Sequence, residues 1–290
     1  MDGLIAELAA AGPVITDGAW GTQLQQRGLP VGACPDAWNI VEPKKVEEVA
    51  RSYVEAGSRI ILTNTFGANR LMLARHDLAD KVVAVNRAGV EISRRAAGDR
   101  ARVFASMGPS GVVLMMGRTK PDEVEDAFAE QAEALADAGA DAILLETFSD
   151  PAEIALAIAA VRQTGLPVVA CMTFDSGKNH DRTLMGTTPE QAAAKLAEAG
   201  ADVIGSNCGQ GIEGFVKITR RLRAATDRPL WIKPNAGLPQ VLDGKAVYTQ
   251  TPEQFAACVP ALIEAGAGFV GGCCGTSPEF IAAIKKKLGS

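Results

Sequence analysis

The sequence predicts an α/β fold, a single (β/α)₈ TIM barrel, on three observations. Eight short apolar runs alternate with eight longer segments of helical periodicity, which is the pattern of repeated βα units. An acidic residue, Ala, Gly and a small residue recur together at 55–58, 137–140, 198–201 and 264–267, each time between a helix and the next strand. The count of eight such units argues against an open doubly wound sheet. We expect residues 1–290 to form one domain.

Each strand is predicted from a short apolar run, most of which end at a Gly, Asn, Asp or Thr. Continuous apolar runs are typical of parallel strands that are covered on both faces. In chain order we expect strands at 14–17, 59–65, 103–107, 142–147, 168–173, 203–207, 230–234 and 269–272.

Each helix is predicted from a longer segment that is rich in Ala, Glu, Lys and Arg and has helical period. Most of these segments begin with a proline, whose missing N–H costs nothing in the first turn of a helix. In chain order we expect helices near 43–56, 79–97, 121–138, 151–164, 189–199, 212–225, 252–265 and 278–288.

Composition and charge exclude several classes of function. Hydrophobic residues make up 47% and charged residues 22% of the chain, which is ordinary for a globular enzyme. The net charge of −5 and a pI near 5.3 give no support to binding of nucleic acid or of a membrane surface. We see no apolar run long enough to span a membrane and no signal peptide, so we expect a cytoplasmic protein. Its six cysteines are then expected to stay reduced unless they bind metal.

The most informative motif is Gly271-Gly-Cys-Cys-Gly-Thr276, which places two adjacent cysteines between glycines at a predicted strand end. A third cysteine, Cys208, ends the sixth strand. Three sulfur ligands suit Zn²⁺ and leave its fourth tetrahedral position open for chemistry. A redox dithiol and plain packing remain as alternatives. Cys171 and Cys258 are expected to pack as small apolar side chains, and Cys34 has no assigned role.

The predicted barrel gives the three cysteines a route to one another. Catalytic groups of such barrels lie at the carboxyl ends of the strands, and strands of the same parity share interior layers. Cys208 on the sixth strand can therefore meet Cys273 and Cys274 on the eighth. Successive residues of a regular strand face opposite sides, so the strand must break its pleat there, which the flanking glycines allow.

Further motifs fall at the other strand ends and together resemble one family. They are Asp17-Gly-Ala-Trp-Gly-Thr22, Thr63-Asn-Thr-Phe66, Glu146-Thr147, Asn207-Cys208-Gly209 and Lys233-Pro-Asn-Ala-Gly237, besides the cysteine motif. In this order they look like the homocysteine S-methyltransferase family, over nearly the whole chain. Residues 106–111 and 233–239 look most like the homocysteine-binding module of cobalamin-dependent methionine synthase. The resemblance implies a zinc-bearing barrel with Cys208, Cys273 and Cys274 as the zinc ligands.

The implied reaction is methyl transfer to the thiolate of homocysteine, giving methionine. A free thiol is mostly protonated at neutral pH, and binding to Zn²⁺ removes its proton, so no histidine base is required. The chain has two histidines, His76 and His180, and we expect both to be solvated rather than ligands.

The resemblance also implies how the amino acid binds. It assigns Asp17 and Glu146 to the ammonium group, with a loop cap and a structural ion pair as the respective alternatives. Backbone N–H groups around Gly18 to Thr22 and around Ser106 to Gly111 are candidates for the carboxylate. Asn207 is expected to shape the zinc loop, and Asn235 to contact either substrate or strand.

The methyl donor is left open by the sequence. The family uses betaine, S-methylmethionine, other sulfonium compounds or a methyl-corrinoid protein, and we expect no folate-binding, cobalamin-binding or activation domain in this chain. Few aromatic residues are available to form a cage around an onium donor. Alternatives are a different thiol acceptor, a subunit of a corrinoid-dependent system, and a non-catalytic zinc or thiol sensor.

Overall fold

Eight parallel strands form one curved sheet in the computed structural model, which describes residues 3–238, 240–242 and 245–289. The last residue of the 233–239 motif, Pro239, lies outside the described residues. The parallel strands are β1 (Val14–Ile15), β2 (Ile60–Ile61), β3 (Arg102–Met107), β4 (Ala142–Phe148), β5 (Val168–Met172), β6 (Val203–Gly211), β7 (Leu230–Asn235) and β10 (Ala267–Val270), and an antiparallel hairpin is formed by β8 (Gln240–Leu242) and β9 (Lys245–Val247). The parallel order is β1-β10-β7-β6-β5-β4-β3-β2, which confirms the predicted barrel.

A seam between β1 and β2 is bridged without a regular strand ladder. The Arg59 backbone N–H donates to the Ile15 carbonyl oxygen at 2.8 Å. The Ser58 hydroxyl donates to the Thr16 carbonyl at 3.2 Å, and the Leu62 N–H donates to the Asp17 carboxylate at 2.7 Å. A side chain therefore takes part in closing the barrel.

The helices occupy the predicted positions, with four additions. They are α1 (Gly3–Ala10), α2 (Gly21–Gln26), α3 (Trp38–Val41), α4 (Pro43–Ala56), α5 (Arg70–Leu73), α6 (Val82–Ala97), α7 (Pro121–Asp137), α8 (Pro151–Arg162), α9 (Pro189–Ala199), α10 (Ile212–Ala225), α11 (Pro252–Glu264) and α12 (Pro278–Leu288). Helices α1, α2, α3 and α5 were not predicted, because they are short or precede the first strand. No helix of the described residues is both long and apolar enough to cross a membrane.

The recurring glycine ends helices as predicted. Gly57, Gly139, Gly200 and Gly266 all have positive φ, between 88° and 110°, which a residue without a Cβ adopts most easily. At the other end, α9 and α11 begin with capping boxes that tie the first-turn N–H groups.

The barrel interior is filled by a separate apolar cluster. Trp231 stacks between Phe104 and Phe269, with ring centroids 5.7 and 5.5 Å apart. Ile5 and Leu8 of α1 belong to the same cluster, so α1 covers the amino-terminal end of the barrel. The larger apolar cluster lies between the sheet and the outer helices. The opposite end of the barrel is left for polar side chains.

Three strands differ in length from the prediction by more than one residue: β1 and β2 are shorter, and β6 is longer. β1 and β2 are shorter than the predicted 14–17 and 59–65, because beyond Ile15 and Ile61 the chain bonds across the seam and into the site. β6 runs to Gly211 rather than 207, with a register shift between Asn207 and Gly211.

Gly205 of β6 gives a test of the interior packing. A Cβ at Gly205 would lie 2.0 Å from the Trp231 carbonyl oxygen and 2.8 Å from Cys171 Sγ. We expect Gly205→Ala to lower the free energy of unfolding by about 3 kcal/mol or more, because backbone must move. Gly268→Ala is the matched control, since its nearest non-neighbouring atom is 3.8 Å away. Urea unfolding measures both, and equal stability of the two variants would contradict this packing.

Candidate active site

Three cysteines meet at the carboxyl ends of the strands, as predicted. The sulfur atoms of Cys208, Cys273 and Cys274 all lie within 4.8 Å of one another, and those of Cys208 and Cys274 are 3.9 Å apart. Two sulfurs bound to one tetrahedral zinc at about 2.3 Å would lie about 3.8 Å apart. Among the described residues, this is the one cluster of three His, Cys, Asp or Glu side chains close enough to share an ion. The donor set and its spacing fit Zn²⁺.

The cysteine pair lies beyond the end of β10, so the predicted break in the pleat is present. The Cys273 N–H donates to the Pro234 carbonyl at 2.7 Å, and the Ala236 N–H donates to the Cys274 carbonyl at 3.0 Å. These two bonds attach the pair to the end of β7. A Cβ at Gly271 would lie 2.1 Å from Thr16 Oγ1, so only glycine lets the chain approach β1 this closely.

The three thiols shift one another's pKa values. The pKa of Cys273 is raised, first by its hydrogen bond with Cys208 and then by burial. Hydrogen bonds within the trio act on the pKa values of Cys208 and Cys274 in both directions, and with burial the net effect is again upward. A cation bound by the three sulfurs would replace their protons.

Asn207 connects the cysteines to the end of β4. Its buried side chain accepts from the Thr147 N–H at 2.8 Å and donates to the Thr147 hydroxyl at 2.8 Å. It also contacts Glu146 at 3.4 Å and Cys273 Sγ at 3.8 Å. Thr147 and Cys208 have positive φ, 66° and 62°, which is a strained conformation for such residues. Asn207 therefore shapes the loop, as the sequence suggested.

A cavity of about 320 Å³ opens onto the cysteines. Four predicted substrate residues line it, namely Gly18, Thr22, Ser106 and Glu146. Asp17 and Asn235 are not among the lining residues, and both are buried. In the described part of the chain, Asn235 Oδ1 is buried without a hydrogen-bond partner.

Glu146 presents its carboxylate to the cavity from the end of β4. It is 8% exposed, and the Ser106 hydroxyl donates to its Oε1 at 2.5 Å. The pKa of Glu146 is raised overall, because burial outweighs the nearby Lys233 ammonium and the Ser106 hydrogen bond, which both lower it. The arrangement suits a carboxylate that receives a cation from the cavity.

Asp17 does not line the cavity and has three partners within the protein. Its Oδ1 pairs with Lys233 Nζ at 2.5 Å. Its Oδ2 accepts from the Trp20 indole N–H and from the Leu62 N–H, each at 2.7 Å. Both oxygens of this fully buried carboxylate are therefore engaged within the protein.

The remaining cysteines and histidines lie apart from the trio. Cys171 is fully buried in the interior cluster, whereas Cys258 is half-buried on α11, where its thiol bonds to the Gln254 carbonyl. Cys34 and His76 line the cavity but do not belong to the trio. The exposed His180 ring contacts the Asp175 carbonyl through Nδ1.

Two further residues at the site were missed by the sequence analysis. Lys233 was noted as part of a motif but given no role, although an inward-facing lysine in the apolar strand β7 was a usable signal. Tyr248 follows β9, and its ring packs against Gly275, next to Cys274. No local sequence pattern predicts a position for Tyr248 at the site, because its position beside the cysteines depends on the path of the β8–β9 hairpin.

Comparisons with known proteins agree with this geometry. A family model described as homocysteine S-methyltransferase matches residues 14–288. The solved structure of the homocysteine methyltransferase MmuM from Escherichia coli, in its metallated form, superposes with a TM-score of 0.82 at 25% identity, covering 99% of this chain and 100% of that one.

Two curated relatives are considerably longer than this chain. The methionine synthase of Mycobacterium leprae (strain TN) is 33% identical over 299 residues, covering 97% of this chain and 24% of the relative. That of Mycobacterium tuberculosis (strain ATCC 25618 / H37Rv) is 34% identical over 290 residues, covering 93% and 24%. The chain thus spans about a quarter of the length of these relatives.

Substitutions at Asn207 and at the adjacent Ser206 test whether the Asn207 hydrogen bonds stabilise the site. We expect Asn207→Ala to lower the free energy of unfolding of the metal-free protein by about 2–3 kcal/mol, because the Thr147 N–H and Glu146 lose a buried partner. Ser206→Ala is the control, since the Ser206 hydroxyl is buried without a partner in the described residues and its loss should change stability by less than about 1 kcal/mol. Urea unfolding under reducing conditions compares them; a neutral Asn207→Ala would refute this role.

Proposed function

We propose, since this chain belongs to the homocysteine S-methyltransferase family, that it transfers a methyl group to the thiolate of homocysteine and forms methionine with the help of zinc. The observation that carries the proposal is the trio of Cys208, Cys273 and Cys274 at the base of a cavity. The trio offers three sulfur ligands, and the cavity gives a fourth ligand access to them.

The protein's own residues would hold and orient the reactants. Bound to the three cysteines, Zn²⁺ would supply a Lewis acid that keeps a substrate thiol deprotonated at neutral pH. The backbone bonds from Cys273 to Pro234 and from Ala236 to Cys274 fix two of the ligands before metal arrives. Asn207 fixes the strand end that carries the third. A preformed ligand set lowers the ordering cost of metal binding.

The rest of the cavity supports recognition of an amino acid. We propose that Glu146 accepts the ammonium group and that Gly18, Thr22 and Ser106 contact the substrate, since all four line the cavity. Asp17, which has Lys233 between it and the cavity, would act through that lysine. Asn235 would contact the substrate from the end of β7, because its buried amide oxygen has no hydrogen-bond partner among the described residues.

The surface around the cavity favours a donor carried by a protein. All twelve large apolar residues that are exposed in the described chain follow the carboxyl ends of strands or, for Val83, begin α6 at the same end. They are Val31, Ile40, Val41, Phe66, Val83, Val113, Met115, Met116, Leu184, Met185, Leu238 and Val247. A protein that docks over the cavity would cover these apolar side chains. We therefore favour a methyl-corrinoid protein over a small onium donor.

The zinc proposal predicts a specific pattern among the cysteine variants. We expect Cys208→Ser, Cys273→Ser and Cys274→Ser to keep the fold but to lose bound zinc and at least about 100-fold in activity, because each removes one of three ligands. Cys258→Ser is the control, because Cys258 lies on α11 outside the cavity. Zinc analysis and the zinc-edge X-ray absorption spectrum with and without homocysteine are the measurements. A zinc that gains no sulfur on adding homocysteine would reject homocysteine as the acceptor.

The donor proposal predicts which methyl compounds work. We expect the zinc-loaded chain to form methionine from homocysteine and methylcobalamin, and to form none above the protein-free background from betaine or S-methylmethionine. Methionine formation at steady state is the measurement. Sustained turnover with either small donor alone would exclude an obligatory corrinoid partner.

A further inference from the structure

We infer that Lys233 binds the carboxylate of the acceptor thiol, and that Lys233 and Glu146 together select a zwitterionic amino acid. This inference rests on the proposed function and adds a residue and a selection rule to it. Lys233 comes from β7, which lies between the two strands whose ends carry the cysteines, β6 and β10. Its side chain lines the same cavity as the cysteines and Glu146.

The first argument is the burial of the Lys233 ammonium. Lys233 is 1% exposed, and a buried charge is tolerated only when it is paired and hydrogen-bonded. Burial lowers the pKa of Lys233, but the charges of Asp17 and Glu146 outweigh this and raise it. The ammonium therefore stays protonated beside the cavity at neutral pH.

The second argument is the number of hydrogen bonds. An ammonium group has three N–H donors. In the described part of the chain, Nζ of Lys233 makes one hydrogen bond, to Oδ1 of Asp17. A ligand carboxylate in the cavity would accept from the others, in a charge-assisted bond of the stronger class.

The third argument is the position of Asp17. Its second oxygen accepts hydrogen bonds from the Trp20 indole and the Leu62 N–H. With the bond from Lys233, three hydrogen bonds fix the orientation of the carboxylate. Asp17 does not line the cavity, whereas Lys233 does. Asp17 is therefore a positioning residue that sets the direction of the Lys233 ammonium.

The charges facing the cavity then match a zwitterion. Asp17 does not line the cavity, so the charges that face it are the ammonium of Lys233 and the carboxylate of Glu146. An α-amino acid supplies one ammonium and one carboxylate, so it satisfies Glu146 and Lys233 without adding net charge to a buried site. A thiol with one of the two groups would leave a charged side chain without a ligand partner.

Acceptor thiols lacking one group test this assignment on the zinc-loaded protein. The compound 3-mercaptopropylamine is homocysteine without its carboxylate, and 4-mercaptobutyrate is homocysteine without its amine. We expect each to bind the unmodified protein about 10- to 100-fold more weakly than homocysteine, as measured by titration calorimetry. Equal affinity for homocysteine and 3-mercaptopropylamine would overturn the role of Lys233.

Paired variants assign the lost affinity to individual side chains. Lys233→Met alone would leave Asp17 buried without its cation, so the variant is made together with Asp17→Asn to preserve folding. In this double variant we expect homocysteine and 3-mercaptopropylamine to bind within about threefold of each other. In Glu146→Gln we expect homocysteine and 4-mercaptobutyrate to become equivalent instead, with the preference for a carboxylate retained.

The outcomes separate this inference from the proposed function. A double variant that binds zinc, remains folded by circular dichroism and still prefers the carboxylate-bearing thiol would show that Lys233 is a structural counter-ion only. An unmodified protein that binds zinc and 4-mercaptobutyrate but not homocysteine would overturn the zwitterion rule together with the proposed acceptor. The unmodified protein could form methionine while the double variant keeps the same preference for a carboxylate-bearing thiol. That result would overturn the inference and leave the proposed function standing.

Discussion

Two features of this structure, the closure of the barrel and the charge at the cavity, depend on the buried ion pair between Asp17 and Lys233. One oxygen of Asp17 holds the lysine of β7, and the other accepts the Leu62 N–H across the seam between β1 and β2. A single carboxylate thus helps to close the barrel and directs a cation toward the cavity. Because neither charge reaches solvent, each requires the other, and barrel closure is tied to the electrostatics of the site.

The site is built where regular structure stops. β10 ends before the cysteine pair, and β6 shifts register beyond Asn207. Thr147 and Cys208 occupy the left-handed region, and the amide of Asn207 bonds to Thr147 in both directions. Strained residues persist where their surroundings over-determine them, and here the surroundings are buried hydrogen bonds. The rigid barrel supplies these bonds, so a strained loop presents its sulfur at a fixed place.

Much of this arrangement could be predicted from the sequence, because the signals were local. Apolar runs and the repeated glycine gave eight βα units, and the glycine-framed Cys273 and Cys274 indicated a metal site with Cys208. The partners of Asp17 could not be predicted, since Lys233 is 216 positions away and no periodicity relates the two residues. The shortness of β1 and β2 and the packing of Tyr248 against Gly275 likewise depend on how the barrel closes.

The placement of the three sulfurs across strands has a consequence for assembly. Cys208 belongs to β6 and the cysteine pair follows β10, and these strands are not neighbours, because β7 lies between them. No hairpin or single βα unit of this chain contains the full ligand set. A metal held by all three sulfurs would therefore bind with full affinity only after β10 has docked against β7, which brings the ligands together. Binding of such a metal would then be coupled to completion of the fold.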